Sequence, residues 1–399
     1  MRTERFKIKW REFKSVLKAE YGHIFSDAGV VLVLVFAILI YGTLYSLAYK
    51  NEVLRDIPIA VVDQSRTASS RQLTATLDAA PNIVITHKPA SMGEAESLFY
   101  AREVSGVVYI PADYERRLLK GGGQVKVGVY VDASYFLMYR QAYADIAAAV
   151  VSTGAKVNYV KLLQGGATTQ QAETIVQPVK YTSKNLFNPY LGYGTFVMPA
   201  ILMVIIQQTL LIGLGMIGGT WREFGVYRKL IVPGERRLST VPLVLGKTAA
   251  YLSIYAVTLL YILGVHYKMF HFPMNAPFGE LVAFLTPYVL ACIFMGIAIS
   301  TLFRYRENSL LYLLWTSIPV LLMSGASIPK EAIPSWIFAL GKIFPSSSGV
   351  DGFVRMQTMG ANLSEVSAEL TTLWILCTVY FLLACLGIRQ VMKKVEESK

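Results

Sequence analysis

The stretch AGVVLVLVFAILIYGTLYSLA, residues 28–48, decides the class of this protein because it contains no charged side chain. A helix of this length rises about 1.5 Å per residue and crosses the hydrocarbon core of a bilayer, which is about 30 Å thick. A cleaved signal peptide is the alternative, since Ser46-Leu47-Ala48 resembles a cleavage site. The apolar core is too long for that alternative and four acidic residues precede it, so we predict a retained membrane anchor.

Five further uncharged stretches are each long enough to cross a bilayer, namely residues 185–221, 248–267, 281–303, 308–329 and 370–388. A shorter apolar piece, residues 332–341, lies among Pro329, Pro334 and Pro345 and has only ten residues. We predict that it turns back as a re-entrant hairpin, with Trp336 near the outer interface. The predicted fold class is an α-helical polytopic membrane protein with six transmembrane helices, a re-entrant hairpin and an inserted extracytoplasmic α/β domain.

The distribution of Lys and Arg predicts the orientation of these helices. Nineteen basic residues lie in one set of short segments, which includes both termini, and four lie in the opposite set. Basic residues of short loops stay in the cytoplasm, so we predict both termini inside and the polar segment after the first span outside, in a bacterial inner membrane. The net charge of +12 is thereby accounted for, and no nucleic-acid partner is expected.

The polar segment between the first two spans has the pattern of a small α/β domain. Four short β-branched runs alternate with helix-compatible segments, at residues 57–63, 82–86, 104–110 and 125–132. Gly121-Gly122-Gly123 predicts a turn rather than a phosphate loop, because no Lys-Ser or Lys-Thr follows it. Residues 135–164 predict one long helix that returns towards the membrane and ends at Gly165-Gly166.

The chain shows no catalytic, metal or nucleotide site of its own, so we predict that it is not an enzyme and binds no cofactor. Gly246-Lys247-Thr248 resembles the end of a P-loop, but Val241 stands where the first glycine is required. The four His residues are scattered, no Gly-x-Ser-x-Gly elbow occurs, and the predicted spans contain no carboxylate. Energy for any transport must therefore come from another polypeptide.

The N-terminal segment predicts an amphipathic helix on the cytoplasmic surface. Its apolar residues recur at spacings of four, three and four, and basic residues recur identically one position later. The apolar set is Phe6, Trp10, Phe13 and Leu17, and the basic set is Lys7, Arg11, Lys14 and Lys18. Two roles stay open: anchoring to anionic lipid, and forming one wall of a docking site for a cytoplasmic partner.

Several motifs resemble those of type-2 ABC exporter permeases, and together they cover nearly the whole chain. WREFGVYRKLIVP, residues 221–233, followed by Leu245-Gly246-Lys247, resembles the cytoplasmic loop of that family. Val226 and Arg228 depart from the family pattern, where Thr and Glu are usual. The second set resembles the family's hairpin before the last span: Ser324-Gly325, Ile328-Pro329, Ile333-Pro334-Ser335-Trp336, Phe344-Pro345, and Arg355 with Gly360. Asn188-Pro189 is a weaker third match.

The resemblance implies a permease that forms a homo- or heterodimer and works with a separate ATPase subunit, which holds ATP and Mg. A family-like coupling site comprises Arg222, Glu223, Gly225 and Leu230, together with Phe6, Trp10, Phe13 and Leu17. A family-like cavity would be lined by Gln207, Gln208, Ser317 and Ser324, although interhelical hydrogen bonding between subunits or within the bundle is the favoured explanation of these residues. A periplasmic adaptor and an outer-membrane channel are further family expectations.

These observations predict five consecutive segments: an interface helix at residues 1–27, the first span at 28–48, the α/β domain at 49–185, spans two to six at 186–390, and a tail at 391–399. Within residues 186–390 we predict a coupling helix at 221–232 and a re-entrant segment at 330–346. The predicted function is ATP-driven export of an amphipathic or hydrophobic substrate by alternating access. The alternative is a non-transporting receptor or phage-adsorption protein that acts through its external domain.

Overall fold

The computed structural model describes residues 2–49, 53–120, 124–180, 182–189, 192–229, 239–328 and 330–397. The chain divides into two compact units. One unit consists of Met1–Glu52 together with Asn185–Lys399, and the other is the inserted segment Val53–Lys184. The described part of the first unit is helical, whereas the inserted unit contains a four-stranded sheet.

Three helices precede the inserted unit: α1 (Arg2–Ser26), α2 (Ala28–Val31) and α3 (Ala37–Ala48), with a π-helical segment at Leu32–Phe36 between the last two. Asp27 separates α1 from the first apolar stretch because its backbone is extended and interrupts the helix. Its carboxylate caps α2 by accepting hydrogen bonds from the backbone N–H groups of Gly29 and Val30, at 3.0 and 3.1 Å. The N-terminal amphipathic segment and the first span are therefore two distinct helices.

The inserted unit alternates strands and helices: β1 (Ile57–Asp63), α4 (Ala68–Asp78), β2 (Ile83–His87), α5 (Met92–Tyr100), β3 (Gly106–Ile110), α6 (Tyr114–Lys120), β4 (Gly128–Val131), α7 (Phe136–Gln164) and α8 (Thr169–Val176). The strand order is β2-β1-β3-β4, and only β4 is antiparallel to its neighbour. All four predicted strands are confirmed, as is the long helix that ends at Gly165. The turn predicted at residues 121–123 lies outside the described residues.

The two faces of this sheet have separate apolar cores. Ile59 and Val61 point to the face that is covered by α4 and α7, where they pack with Leu73 and Ile146. The opposite face carries a smaller core around Val107, which is covered by α5. Alternation of side chains along β1 supplies both cores, because successive residues of a strand point to opposite faces.

The chain then forms the remaining elements of the helical unit: α9 (Tyr193–Glu223), α10 (Val226–Lys229), α11 (Thr240–Tyr261), a π-helical segment at Ile262–His266, α12 (Tyr267–Met269), α13 (Phe278–Ser300), α14 (Arg306–Met323), a 3₁₀ turn at Lys330–Ala332, α15 (Ser335–Gly341), α16 (Pro345–Met359) and α17 (Ser367–Glu397). Helix α9 is buried along most of its length and packs against α3, α13, α14 and α16. It is the central helix of the unit.

Six helices among the described residues are long and apolar enough to cross a membrane: Ala28–Ala48, Phe136–Gln164, Tyr193–Glu223, Thr240–Met269, Phe278–Ser300 and Ser367–Lys394. Five of them coincide with predicted spans, as expected for a polytopic membrane protein. The predicted span at residues 308–329 differs, since α14 has 18 residues, begins with charged Arg306 and Glu307, and ends at Met323. The sixth long helix is α7, which packs against the sheet of the inserted unit.

Helix α16 has no counterpart in the sequence analysis, which assigned no helix between the hairpin and the last span. It has 15 residues, begins with Pro345 at its first turn, and ends at Gly360 with a positive φ of 74°. Gly349 and Gly352 allow it to lie directly against the rings of Tyr288 and Phe284 on α13. Small residues permit such close packing of membrane helices, but they lower the apolar signal by which a sequence reveals a span.

We predict that Gly219→Ala destabilises the helical unit, because an added Cβ would lie 2.8 Å from the backbone of Arg306 and Tyr305. Backbone atoms cannot yield as a side chain does, so we expect a loss of about 1–3 kcal/mol. Thermal unfolding of the purified protein in detergent measures it. Gly279→Ala is the control, since no heavy atom lies within 4 Å of its Cβ position. Equal melting temperatures for the two variants would contradict the close packing of α9 and α14.

Candidate functional site

The N-terminal helix α1 packs against α11 through a buried face formed by Val16, Glu20 and Ile24. These residues recur every four positions and so lie on one side of the helix. The approach is close at Gly246, where a Cβ would lie 3.0 Å from the Phe13 carbonyl oxygen and from Val16. The glycine of the Leu245-Gly246-Lys247 motif therefore has a structural role, because the absence of a side chain allows α1 to pack closely against α11.

Glu20 forms a buried ion pair with Lys247, the next residue of that motif. The two carboxylate oxygens accept hydrogen bonds from Lys247 Nζ at 2.9 and 2.7 Å, and one also accepts from the hydroxyl of Tyr251 at 2.7 Å. Glu20 is fully buried and Lys247 is 4% exposed. A buried charge is tolerated when a partner and hydrogen bonds compensate it, and each charge here has both.

The indole of Trp221 completes this cluster from the end of α9. Lys247 Nζ lies 3.5 Å from the centre of the Trp221 ring, which places the cation over the aromatic face. The ring also packs edge-on against Tyr227 of α10, with centroids 5.2 Å apart, and against His23 of α1 at 5.6 Å. Burial, and after it the negative charge of Glu20, raises the pKa of Tyr227. The cluster thus joins α1, α9, α10 and α11 around one ion pair.

The residues of the predicted coupling site lie beside this cluster. The predicted coupling helix at residues 221–232 is interrupted, since α9 continues to Glu223, the chain turns at Gly225 with a φ of 61°, and α10 follows. Trp221 is held in the last turn of α9 by the packing just described, and this extends the long helix past the predicted boundary. Leu230 lies outside the described residues.

Arg222 and Glu223 have different surroundings although they are adjacent. Arg222 Nη1 donates to the carbonyl oxygens of Thr301 at 2.8 Å and Phe303 at 3.3 Å, and so fixes α9 to the end of α13. Glu223 is exposed, and no described residue bonds its carboxylate. Its charge is therefore available to a partner, whereas Arg222 has a structural role.

A second ion pair connects the beginnings of two other helices. Asp27, which caps α2, pairs with Arg306 at the start of α14 through both guanidinium nitrogens, one of them at 2.8 Å. Partial burial raises the pKa of Asp27, but the hydrogen bond and charge of Arg306 and the N–H groups of Val30 and Gly29 outweigh it, so the pKa is lowered overall. Neither this pair nor the pair of Glu20 with Lys247 is evident from the sequence, because each joins residues more than 200 positions apart.

The predicted apolar face of α1 lies beside its buried face. Trp10 is 49% exposed and stacks on Phe13, with centroids 5.2 Å apart, and Leu17 is partly buried. Lys14 Nζ lies 5.3 Å from the centre of the Trp10 ring. The side chain of Phe6 is outside the described part of the chain. That the exposed part of this face contacts lipid or a cytoplasmic partner stays a prediction.

The four polar residues proposed for the cavity have different surroundings. Gln207 Oε1 accepts a hydrogen bond from the backbone N–H of Ser346, at the start of α16, at 2.7 Å. Gln208 is also buried, and neither atom of its amide has a described partner. It lies two turns before Gly215, which faces Leu313, so it points towards α14.

Ser317 and Ser324 bond within α14, to the carbonyl oxygens of Leu313 at 3.2 Å and Leu321 at 2.7 Å. Three of the four residues therefore form a hydrogen bond within or between helices, whereas Gln207 Nε2 and both amide atoms of Gln208 are buried without a described partner. The cavity remains a proposal.

The hairpin residues occupy the junctions around α15. Pro334 directly precedes this seven-residue helix, Trp336 in its first turn is 71% exposed, and Pro345 begins α16. Pro329 lies outside the described residues. A helix of seven residues cannot cross a bilayer, and it connects α14 to the buried helix α16.

Among the described residues, no group of three or more His, Cys, Asp or Glu side chains is arranged to hold a metal ion. Cys292, Cys377 and Cys385 are free thiols within α13 and α17. The described residues of the candidate site interact through charge pairing and through packing between helices.

Comparison with known proteins finds one matching family and two relatives. Residues 28–386 match the family model described as "ABC-2 family transporter protein". Two curated relatives, each named "Probable multidrug ABC transporter permease YbhR", come from Escherichia coli K12 and from Escherichia coli O157:H7. Each is 22% identical over 358 residues, which cover 88% of this chain and 91% of the relative.

We predict that breaking the buried pair destabilises the protein more than removing it. Glu20→Gln leaves the Lys247 charge uncompensated and should cost about 3–5 kcal/mol. The double variant Glu20→Met with Lys247→Met should lose less stability than Glu20→Met or Lys247→Met alone, because no unpaired charge remains. Unfolding in detergent, analysed as a double-mutant cycle, measures the coupling.

Lys393→Met is the matched control, because Lys393 pairs with Glu397 at 3.6 Å while both side chains are exposed. It should leave the melting temperature almost unchanged. Wild-type stability of Glu20→Gln would show that the pair does not hold α1 in place.

Proposed function

This chain belongs to the ABC-2 transporter family, and from that premise we propose that it is the membrane subunit of an exporter whose ATP is hydrolysed by a separate polypeptide. The observation that carries the proposal is the Glu20–Lys247–Trp221 cluster beside the exposed carboxylate of Glu223. It combines a rigid junction of helices with a charge that has no described partner.

The cluster provides a route by which force applied at the end of α9 reaches the membrane-spanning helices. A partner that binds Glu223 pushes on the last turn of α9, and the cluster makes α1 and α11 move with it. Helix α9 in turn contacts α3, α13, α14 and α16, so its displacement changes the packing of most of the unit. Tightly packed helices transmit such a shift because their contacts cannot deform gradually.

We propose that two permease subunits, identical or different, assemble with two ATPase subunits, which bind ATP and Mg. Alternating access in this assembly would move an amphipathic or hydrophobic substrate outwards from the cytoplasm or the inner leaflet. The relatives are named as probable multidrug ABC transporter permeases, which supports this class of substrate. The buried amide of Gln208 is a polar group that such a change of packing could satisfy.

For the location we propose a bacterial inner membrane with both termini in the cytoplasm. The support is the excess of Lys and Arg in the short segments at one end of the helices, which include both termini. In this orientation Glu223 and the cluster face the cytoplasm, where an ATPase can reach them. The inserted α/β unit lies outside, where a periplasmic adaptor and an outer-membrane channel could engage it.

We predict that Glu223→Ala lowers export and ATPase stimulation severely while the protein stays inserted in the membrane. Loss of one partner from an interface charge pair costs about 2–5 kcal/mol, whereas loss of a solvated charge is nearly silent. The measurement is ATPase activity and substrate efflux of the co-purified complex. Glu307→Ala is the control, since Glu307 is an exposed carboxylate in the first turn of α14. Normal export by a normally expressed Glu223→Ala variant contradicts the proposed coupling.

Topology can be tested independently with single cysteines in a variant that lacks the three native thiols. We expect Lys120→Cys to react with a membrane-impermeant maleimide from outside, and Val395→Cys and Leu230→Cys to react only after the cells are opened. The basic-residue distribution is the physical reason. Labelling of position 230 from outside would overturn the proposed orientation.

A further inference from the structure

The inserted α/β unit has an aromatic groove of about 620 Å³ at the β4 edge of the sheet, between α5 and α7. Its walls are formed by Phe99 and Tyr100 of α5, Tyr130 of β4, and Tyr139 and Tyr143 of α7. Its volume lies within the range of small-molecule sites, about 300–1,000 Å³, whose walls are typically apolar and aromatic with few polar groups. The groove thus has the size and lining of a ligand site.

The aromatic side chains are presented to solvent rather than used in the core. Tyr100 is 85% exposed, Tyr130 52% and Tyr143 48%. Tyr139 and Tyr143 stack one helical turn apart, with centroids separated by 5.6 Å and planes inclined by 19°. Clustered exposed aromatic rings are unusual on a soluble surface and mark binding sites.

The charge of the groove indicates what kind of ligand it takes. Of the described residues that line it, Glu96 alone is charged, and no described residue bonds its carboxylate. Aromatic faces are electronegative and attract cations, and an unpaired carboxylate adds to that attraction. An anion would meet repulsion from both.

A second cavity of the same unit has the opposite character, and this contrast makes the assignment specific. It encloses about 530 Å³ and is lined by Arg66, Arg71 and Lys88 together with Asp63 and Asp78. Among the described residues that line it, basic side chains outnumber acidic ones and none is aromatic. A bulky organic cation gains neither ring contacts nor a net attraction there.

From this geometry we infer that the aromatic groove binds a lipophilic organic cation, such as a quaternary ammonium or phosphonium compound. Tyr139 and Tyr143 would offer their rings to the apolar groups of the cation, and Glu96 would balance its charge. A role of this binding in export rests on the proposed function above, but the binding itself does not.

The test is equilibrium dialysis of tetraphenylphosphonium against the full-length protein in lipid nanodiscs. Tetraphenylborate has the same shape and the opposite charge, and it serves as the ligand control. Tyr159→Ala, later on α7, and Asp78→Asn, in the second cavity, serve as protein controls because they lie outside the groove. Partitioning into lipid is the same for every variant, so differences between variants report on the groove.

We expect Glu96→Gln to weaken phosphonium binding by about threefold to tenfold, and Tyr139→Ala with Tyr143→Ala to weaken it by about tenfold or more. Tyr143→Phe, which retains the ring, should bind within about twofold of wild type. After subtraction of the partitioning into empty nanodiscs, tetraphenylborate should bind at least about tenfold more weakly, and the groove variants should not affect it. Wild-type phosphonium affinity in the groove variants overturns the inference, and so does equal, groove-dependent binding of the borate.

An efflux assay separates this inference from the proposed function. Loss of phosphonium binding in the groove variants together with wild-type export of other substrates supports the site and leaves the exporter intact. A Glu223→Ala complex that does not export but binds phosphonium with wild-type affinity supports both proposals, because binding then persists without coupling. Absence of export in the wild-type complex, with binding present, would remove the exporter proposal and leave the groove.

Discussion

The helical unit depends on keeping the ammonium group of Lys247 paired. This residue lies two turns inside a helix that is otherwise apolar enough to span a membrane, and a lone charge there is costly. Glu20 removes that cost because α1 folds back along α11 and places both carboxylate oxygens against Nζ. The position of α1, the absence of a side chain at Gly246 and the placement of Trp221 all follow from this pair. A hydrophobic pair of similar volume can be as stable, and our hypothesis is that the charged pair instead specifies the register of α1 on α11.

Close packing through small residues is the second constraint, and it concerns α9. Gly213 faces Leu34 of the first membrane-length helix, and Gly215 and Gly219 face Leu313 and the backbone of Arg306 on α14, so two neighbouring segments approach the central helix without a Cβ between them. In lipid, helices gain little from burying apolar surface against each other, and such close contacts supply much of their attraction. The same arrangement that stabilises α9 makes it a suitable lever, because a rigid helix in contact with several neighbours transmits displacement to all of them.

The inserted unit follows different physical rules, since water surrounds its surface in the proposed orientation. Its sheet is covered on both faces, which satisfies the burial requirement of parallel strands. The exposed tyrosines of α5, β4 and α7 do not contribute to that core. Surplus aromatic surface in water has a free-energy cost that a ligand can relieve, and this distinguishes the groove from the exposed apolar side chains of the membrane helices, for which lipid is the solvent.

The sequence alone determined the features that depend on local composition. Uncharged stretches predicted five of the six membrane-length helices found, and β-branched runs predicted all four strands, because hydrophobic length and alternation are properties of neighbouring residues. The tertiary structure decided the rest. Helix α16 was missed because its glycines and serines, which suit close packing, hide its apolar character. Glu20 had no predicted role, and Lys247 was noted only in a family-like motif and in an incomplete P-loop match, since only folding brings together residues 227 positions apart. A buried charge reveals its role through its partner, and the partner is a property of the three-dimensional arrangement.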